Sequence, residues 1–162
     1  MKFLLKYKPV VKLITKVKDL LISGLTPHQL ALAITMGVIF GVIPILGSTT
    51  IILTIVALTF NLNMVIVQLT NYIVYPLQLI LFLPFIEMGK YLGNRPKISP
   101  HQVFTIMKSN WISGFEKLWD IQLWAILAWA LISIPVSYLL YRLLKDLTGK
   151  VKDKLQLKFS SH

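Results

Sequence analysis

Between Asp19 and Glu87 the chain carries no Asp, Glu, Lys or Arg: sixty-seven consecutive residues, 20 to 86, hold no formal charge. A soluble domain needs charged side chains every few residues along its surface, so an uncharged stretch of this length points to the hydrocarbon of a bilayer. The composition agrees. Apolar residues make up 56% of the chain and the mean hydropathy is +0.71, where a soluble domain would be nearer roughly 40% apolar without its glycines. At 162 residues there is room for one domain of a few membrane segments and nothing large outside them. Cysteine is absent, which excludes a disulfide framework and a thiolate metal site.

The net charge is +11, and its placement says more than its size. Six of the 17 basic residues precede Asp19 (Lys2, Lys6, Lys8, Lys12, Lys16 and Lys18), and six follow Tyr141 (Arg142, Lys145, Lys150, Lys152, Lys154 and Lys158). Basic flanks favour the cytoplasmic side, so both termini are expected there. Nucleic acid also attracts such charge. Here the lysines flank apolar segments, so anionic lipid headgroups are the simpler partner and no nucleic-acid partner is expected.

Residues 1–22 lack the unbroken apolar core and small-x-small cleavage site of a signal peptide. Val10, Leu13, Ile14, Val17, Leu20 and Leu21 recur at helical steps, with Lys12 and Lys16 on the opposite face. The pattern predicts a basic interfacial helix on the cytoplasmic leaflet. A leader whose lysines only orient the chain is the alternative.

The charge-free block is punctuated from within. Thr26-Pro27 has the form of a helix start. The helix that follows carries Gly37 and Gly41 four residues apart, a spacing that lets another helix approach closely. Pro44 and Gly47 interrupt it, and the polar run Ser48-Thr49-Thr50 follows. A piece over 51–60 ends at Asn61-Leu62-Asn63, a third starts at Met64 and breaks between Asn71 and Pro76, and a fourth runs from Leu77 to Tyr91. None reaches the roughly 20 residues needed to cross hydrocarbon.

Short apolar helices joined by polar breaks predict discontinuous or re-entrant membrane helices. Their exposed backbone groups must be met by protein or by a watery cavity. Breaks at corresponding positions of two units point to a transporter-like site. The competing reading is ordinary kinked spans, whose Ser and Thr bond back to their own helix. On the first reading Ser48, Thr49, Thr50, Asn71, Tyr75 and Gln78 line the site, and Pro44, Gly47 and Pro76 shape its breaks.

Leu30-Ala31-Leu32-Ala33, Gly37, Gly41, Pro44, Gly47, Thr49, Asn61-Leu62-Asn63 and Pro76-Leu77 together resemble the bacterial domain-of-unknown-function family 2062, over residues 24–93. The family pattern is a small-apolar helix, G-x-x-x-G-x-x-P-x-x-G, a Thr patch, a Leu-Asn turn and an Asn-Pro-x-Thr break. Tyr75 stands where the pattern has Asn, and Gln78 where it has Thr. The resemblance implies an integral protein of the bacterial inner membrane, linked with glycosyltransferase modules and envelope synthesis.

Beyond residue 93, Asn94-Arg95-Pro96-Lys97 reads as a loop, and Ser99-Pro100 repeats the start signal of Thr26-Pro27. Residues 99–119 form an amphipathic helix, 121–144 a full span kinked at Pro135, and 145–162 a loosely ordered basic cytoplasmic tail. Trp124 and Trp129 at one end of the span, with Tyr138 and Tyr141 at the other, fit interfacial aromatic belts. With both termini inside, the 28–92 block crosses an odd number of times and the Arg95–Lys97 loop lies outside. A cytoplasmic loop would instead make the block two re-entrant hairpins.

Chemistry is signalled mainly by what is missing. His28, His101 and His162 have no metal-ligand spacing, and no paired carboxylates, nucleophile elbow or phosphate-cradling loop is present. No metal or cofactor is expected, and the chain is not read as an enzyme. Glu87 and Lys90 read as a helix-end ion pair rather than a buried acid at work.

The fold class is therefore an all-α membrane protein: short discontinuous or re-entrant helices, one full C-terminal span and interfacial amphipathic helices. Two functions remain open. One is a small envelope protein that carries or binds a lipid-linked or anionic headgroup in a cavity at the helix breaks. The other is a non-catalytic membrane scaffold or anchor for an envelope-synthesis enzyme such as a glycosyltransferase. Membrane lipids are the expected partners in both, and homo-oligomerisation stays open.

Overall fold

The structure is a computed structural model, and it describes residues 15, 19, 25–45, 47–94 and 111–160, with side chains in the last segment described over 119–153. All regular structure among the described residues is helical. Four helices follow in order: α1 Pro27–Gly41, α2 Thr49–Thr59, α3 Met64–Leu92 and α4 Trp111–Ser160. The sequence readings on residues 1–14, 16–18 and 20–22, the loop 95–98, the 99–110 part of the amphipathic helix with its Ser99-Pro100 start and His101, and His162 fall outside the described residues.

The boundaries of α1, α2 and α3 follow from local chemistry. Thr26 closes a capping box at the start of α1: its Oγ1 accepts from Gln29 N at 3.2 Å, and Gln29 Oε1 accepts from Thr26 N at 3.0 Å. Pro27 takes the first helical position, where no N–H is needed. The end of α2 is a left-handed cap on Asn61 (φ 50). There Leu62 N donates to Ala57 O at 2.8 Å and Asn61 N to Leu58 O at 3.4 Å, the two bonds that define a Schellman turn. Two residues on, Asn63 Oδ1 accepts from Ile66 N at 3.1 Å and starts α3. The Asn-Leu-Asn triplet thus ends one helix and begins the next.

Between α1 and α2 the chain turns on Gly47 at φ +83, a left-handed conformation that favours glycine. The two helices return alongside each other. Leu30 and Ala33 near the start of α1 pack with Leu53 and Ala57 of the later part of α2, and with Ile66 and Val67 at the start of α3. At the other end of α1, Ile39, Val42 and Ile43 pack with Val74 and Phe85 of α3 and Ala125 and Trp129 of α4. The α1–α2 hairpin therefore has its base at the start of α3 and its tip between α3 and α4. Helix α4 runs antiparallel to α1, with Trp129 bonded beside Ile39 and Thr148 beside Pro27.

Glycines set the closest approaches. A Cβ on Gly37 would lie 2.7 Å from Thr70 Cβ, and one on Gly41 would lie 2.6 Å from Val74 Cγ2. Where α3 meets α4 the fit is tighter still: a Cβ on Gly89 would lie 2.5 Å from the Ala125 backbone nitrogen. Small residues let backbones come this close.

Two sequence expectations are corrected here. Helix α3 is continuous for 29 residues through both Pro76 and Pro84, so no break separates Asn71 from Leu77. Proline removes one N–H and crowds the preceding turn, but Pro76 sits on the exposed side of the helix and the remaining bonds carry it through. Helix α4 is likewise unbroken for 50 residues. It merges the later part of the 99–119 segment, the 121–144 span and the tail, and that tail is helical to Ser160 rather than loosely ordered.

Two helices, Met64–Leu92 and the Trp119–Asp153 part of α4, are long and apolar enough to cross a membrane. At 15 and 11 residues, α1 and α2 reach only about 22 and 16 Å at 1.5 Å per residue. Their partners' outer faces are apolar: Ile80 is 68% exposed, Ile134 70% and Leu131 61%, whereas Gln78 is fully buried.

Candidate functional site at the hairpin tip

The hairpin tip carries the backbone groups that no helix satisfies, and α3 and α4 supply donors to them. Gln78 is the fifteenth of α3's 29 residues, counted from Met64. Its Nε2 donates to Ile43 O at 2.9 Å and to Ile45 O at 3.4 Å. From α4, Gln122 Nε2 donates to Pro44 O and Trp129 Nε1 donates to Ile39 O at 3.0 Å. Each of these carbonyls ends the helix or follows it, where orphan acceptors accumulate. Three side chains thus take over the role that water plays at an exposed helix end.

The expected site residues divide. Gln78 and Pro44 lie fully buried at the tip, and Asn71 (3% exposed) lies one turn and more below it against Gly41. Thr49 is buried at the first position of α2, Ser48 is half-buried, and Gly47 and Thr50 are exposed. Tyr75 is 47% exposed and is not enclosed with Asn71 and Gln78. Pro76 faces outward and shapes no break.

Helix α2 begins differently from α1 and α3. Ser48 makes no side-chain cap. Its Oγ donates instead to Ile45 O at 3.4 Å, the carbonyl that also accepts from Gln78. The N–H groups of the first turn, which Thr26 and Asn63 serve in the other two helices, have no side-chain acceptor here. Such a start favours an anion. Asn71 Oδ1, Gln78 Oε1, Gln68 Oε1 and Thr35 Oγ1 are buried without a hydrogen-bond partner. The orientation of Gln78 is fixed, because both carbonyls it meets can only accept.

Sequence reasoning did not single out Gln122 or Gln68, and it gave Trp129 a different place. Gln68 joins α3 to α2, with Nε2 donating to Thr50 O at 3.1 Å and to Thr54 Oγ1 at 3.0 Å. The signal was present, since a carboxamide in an apolar stretch needs an inter-helix partner. Trp129, expected in an interfacial belt, is instead buried on Phe40 with ring centroids 5.6 Å apart. Glu87 and Lys90 form the expected ion pair at 2.8 Å. Among the described residues no three His, Cys, Asp or Glu side chains are grouped to hold a metal ion.

Fold and tip define an all-helical protein in which two long apolar helices clasp a short antiparallel hairpin. The sequence pattern of the family described as "Uncharacterized protein conserved in bacteria (DUF2062)" matches residues 12–154. The chain belongs to that family, and the match extends well beyond the 24–93 segment that carries the resemblance in the sequence. No curated protein and no solved structure matches the chain.

Proposed function

We propose that the chain is an integral protein of the bacterial inner membrane in which α3 and α4 cross the bilayer and α1–α2 is a re-entrant hairpin. Support comes from the inverted polarity of the surface. Leucine, isoleucine and valine cover the outer faces of α3 and α4, while Thr35, Thr70, Asn71 and Gln78 are turned inward. The hairpin helices are too short to cross, and both leave and re-enter at the end of the bundle where α3 starts. The same end carries Lys150 and Lys152 of α4, which favours the cytoplasmic side for it and for both termini.

At the tip, the start of α2 receives an acceptor-rich group, and a lipid-linked or anionic headgroup is the ligand that fits. The observation that carries this reading is the uncapped first turn: Ser48 spends its hydroxyl on the Ile45 carbonyl, and with Ile51 N held by Ser48 O at 3.1 Å the N–H groups of Thr49 and Thr50 are left to an outside acceptor. Gln78 and Gln122 hold the tip in place and do not themselves contact the headgroup, since their donors are committed to carbonyls.

Ser48→Asp tests it. A carboxylate at that position caps the helix from within and competes with any bound phosphate. The variant is expected to fold at least as stably as the wild type and to retain less phospholipid through purification, counted by native mass spectrometry. Equal retention in a folded variant removes the headgroup reading. A scaffold for an envelope-synthesis enzyme then becomes the better account, with the basic termini as its contact surfaces.

A further inference from the structure

The base of the hairpin carries a second feature that the tip does not use. Residues 121–141 of α4 hold no charge, and Arg142 is the first charged side chain after them. Those 21 residues span about 31 Å as a helix, which matches a hydrocarbon core of about 30 Å. Arg142 and Lys145 therefore emerge at headgroup depth if Ile121 lies at the opposite boundary.

Both cations are mounted on tyrosines of the same helical face. The Arg142 guanidinium lies 5.4 Å from the centre of the Tyr138 ring, and Lys145 Nζ lies 6.0 Å from that of Tyr141. Tyr141 is tied in turn to the first turn of α1: its Oη and His28 Nδ1 are 2.6 Å apart, and the rings meet edge-on. Two turns beyond Tyr141, the Thr148 hydroxyl lies 3.2 Å from Pro27 O across the seam and 2.8 Å from Leu144 O of its own helix, and shares its proton between them.

Arg142, Lys145 and His28 are all exposed. Neither cation makes an ion pair among the described residues, and Asp146, beside them in sequence, makes none either. His28 Nε2 has no partner among the described residues. The corner thus holds two cations that form no ion pair among the described residues, placed by aromatic rings, beside an imidazole nitrogen with no partner among them.

We propose that this corner is a binding site for the phosphate of an anionic phospholipid in the cytoplasmic leaflet. Arg142 and Lys145 bind the phosphate, Tyr138 and Tyr141 position the two cations, and His28 adds a contact from α1. Bound there, the lipid bridges the base of the re-entrant hairpin to α4. The site rests on the membrane placement proposed above but not on the headgroup site at the tip.

The test titrates the full chain in non-ionic detergent with short-chain phosphatidylglycerol, phosphatidylcholine or inorganic phosphate, read by native mass spectrometry. Each basic residue near an anionic surface contributes about 1 kcal/mol, or about fivefold in affinity. Arg142→Gln with Lys145→Gln is expected to weaken phosphatidylglycerol binding about 30-fold and leave phosphatidylcholine unchanged. Lys150→Gln with Lys152→Gln removes the same charge from the same helix and is expected to cost less than about fivefold. Equal losses from the two pairs would mean diffuse attraction and overturn the site. Inorganic phosphate binding as tightly as phosphatidylglycerol would overturn the lipid assignment. The same titrations on Ser48→Asp, where the tip is capped, are expected to give the same difference between pairs, so failure at the tip and failure at this corner read out separately.

Discussion

Gln78, at the middle of α3, holds the Ile43 carbonyl at 2.9 Å and reaches the Ile45 carbonyl at 3.4 Å. One carboxamide thus joins the end of α1, the turn at the tip and the centre of α3. Each carbonyl has one other donor, Ile45 N to Ile43 O at 2.7 Å and Ser48 Oγ to Ile45 O at 3.4 Å, so removing Gln78 takes away the link to α3 without leaving either acceptor unpaired.

Gln78→Leu keeps the volume roughly constant and deletes the donor. Losing a buried hydrogen bond whose acceptor keeps another donor costs about 0.5–1.5 kcal/mol, so a fall in the melting temperature of the detergent-purified protein is expected. Gln122→Leu, which frees the Pro44 carbonyl, is expected to act in the same direction. The two donors serve neighbouring carbonyls of one turn, so the double variant should lose less than the sum of the single losses. Strict additivity would show that the tip is not held as a unit.

The glycine contacts make a graded series. At Gly41 the obstacle to a side chain is the Val74 methyl, and at Gly89 it is the Ala125 backbone. Gly89→Ala is therefore expected to be worse tolerated than Gly41→Ala, since a methyl can rotate or shift and a helix backbone cannot. Overpacking typically costs about 1–3 kcal/mol. Val38→Leu, at a half-buried position of α1, should leave expression and melting close to wild type. Similar melting for all three variants would mean that the glycines do not set the helix spacing.

The sequence made the helix ends legible where the signal was a local hydrogen bond. Thr26-Pro27 and Asn61-Leu62-Asn63 mark their boundaries because capping depends on neighbours in the chain. Proline misled at residue 76. Its cost to a helix depends on whether packing elsewhere holds the helix together, and that is a long-range property. The meeting of the Pro44 turn with Gln78 was expected from the need to satisfy the backbone of a break. The choice of Gln122 and Trp129 as the other donors was not, because those side chains are 78 and 90 residues from their acceptors. Tyr75 and Gln78 are three residues apart in sequence and part company at the surface because each side of α3 meets a different neighbour, a distinction that periodicity alone does not make.

The proposed topology is open to single-cysteine labelling, since the chain has no native cysteine. Asn61, at the base of the hairpin, and Lys150, near the end of α4, belong to the same end of the bundle. Asn94, at the end of α3, belongs to the other. Cysteines at 61 and 150 are expected to react with a membrane-impermeant maleimide only after the cytoplasmic side is opened, and a cysteine at 94 before it. A cysteine at 61 that reacts from the outside while 150 reacts from the inside would mean that the hairpin crosses the bilayer and is not re-entrant.

Pro44 and Pro76, two of the four prolines in the charge-free block, make the sharpest contrast between a residue in a break and a residue in a helix. Pro76 sits on the exposed face of α3 and can give no N–H to the Tyr72 carbonyl one turn earlier. Pro76→Ala restores that donor without disturbing a packed neighbour, so the melting temperature should be unchanged or higher. Pro44 is fully buried, its carbonyl is held by Gln122, and its ring fixes the backbone just before the turn on Gly47. Pro44→Ala leaves a small void and frees the unfolded chain, and both effects lower stability. The melting temperature should fall, in opposition to Pro76→Ala. If Pro76→Ala were the damaging change, residues 71–76 would be a structural break after all and the continuous α3 would be wrong.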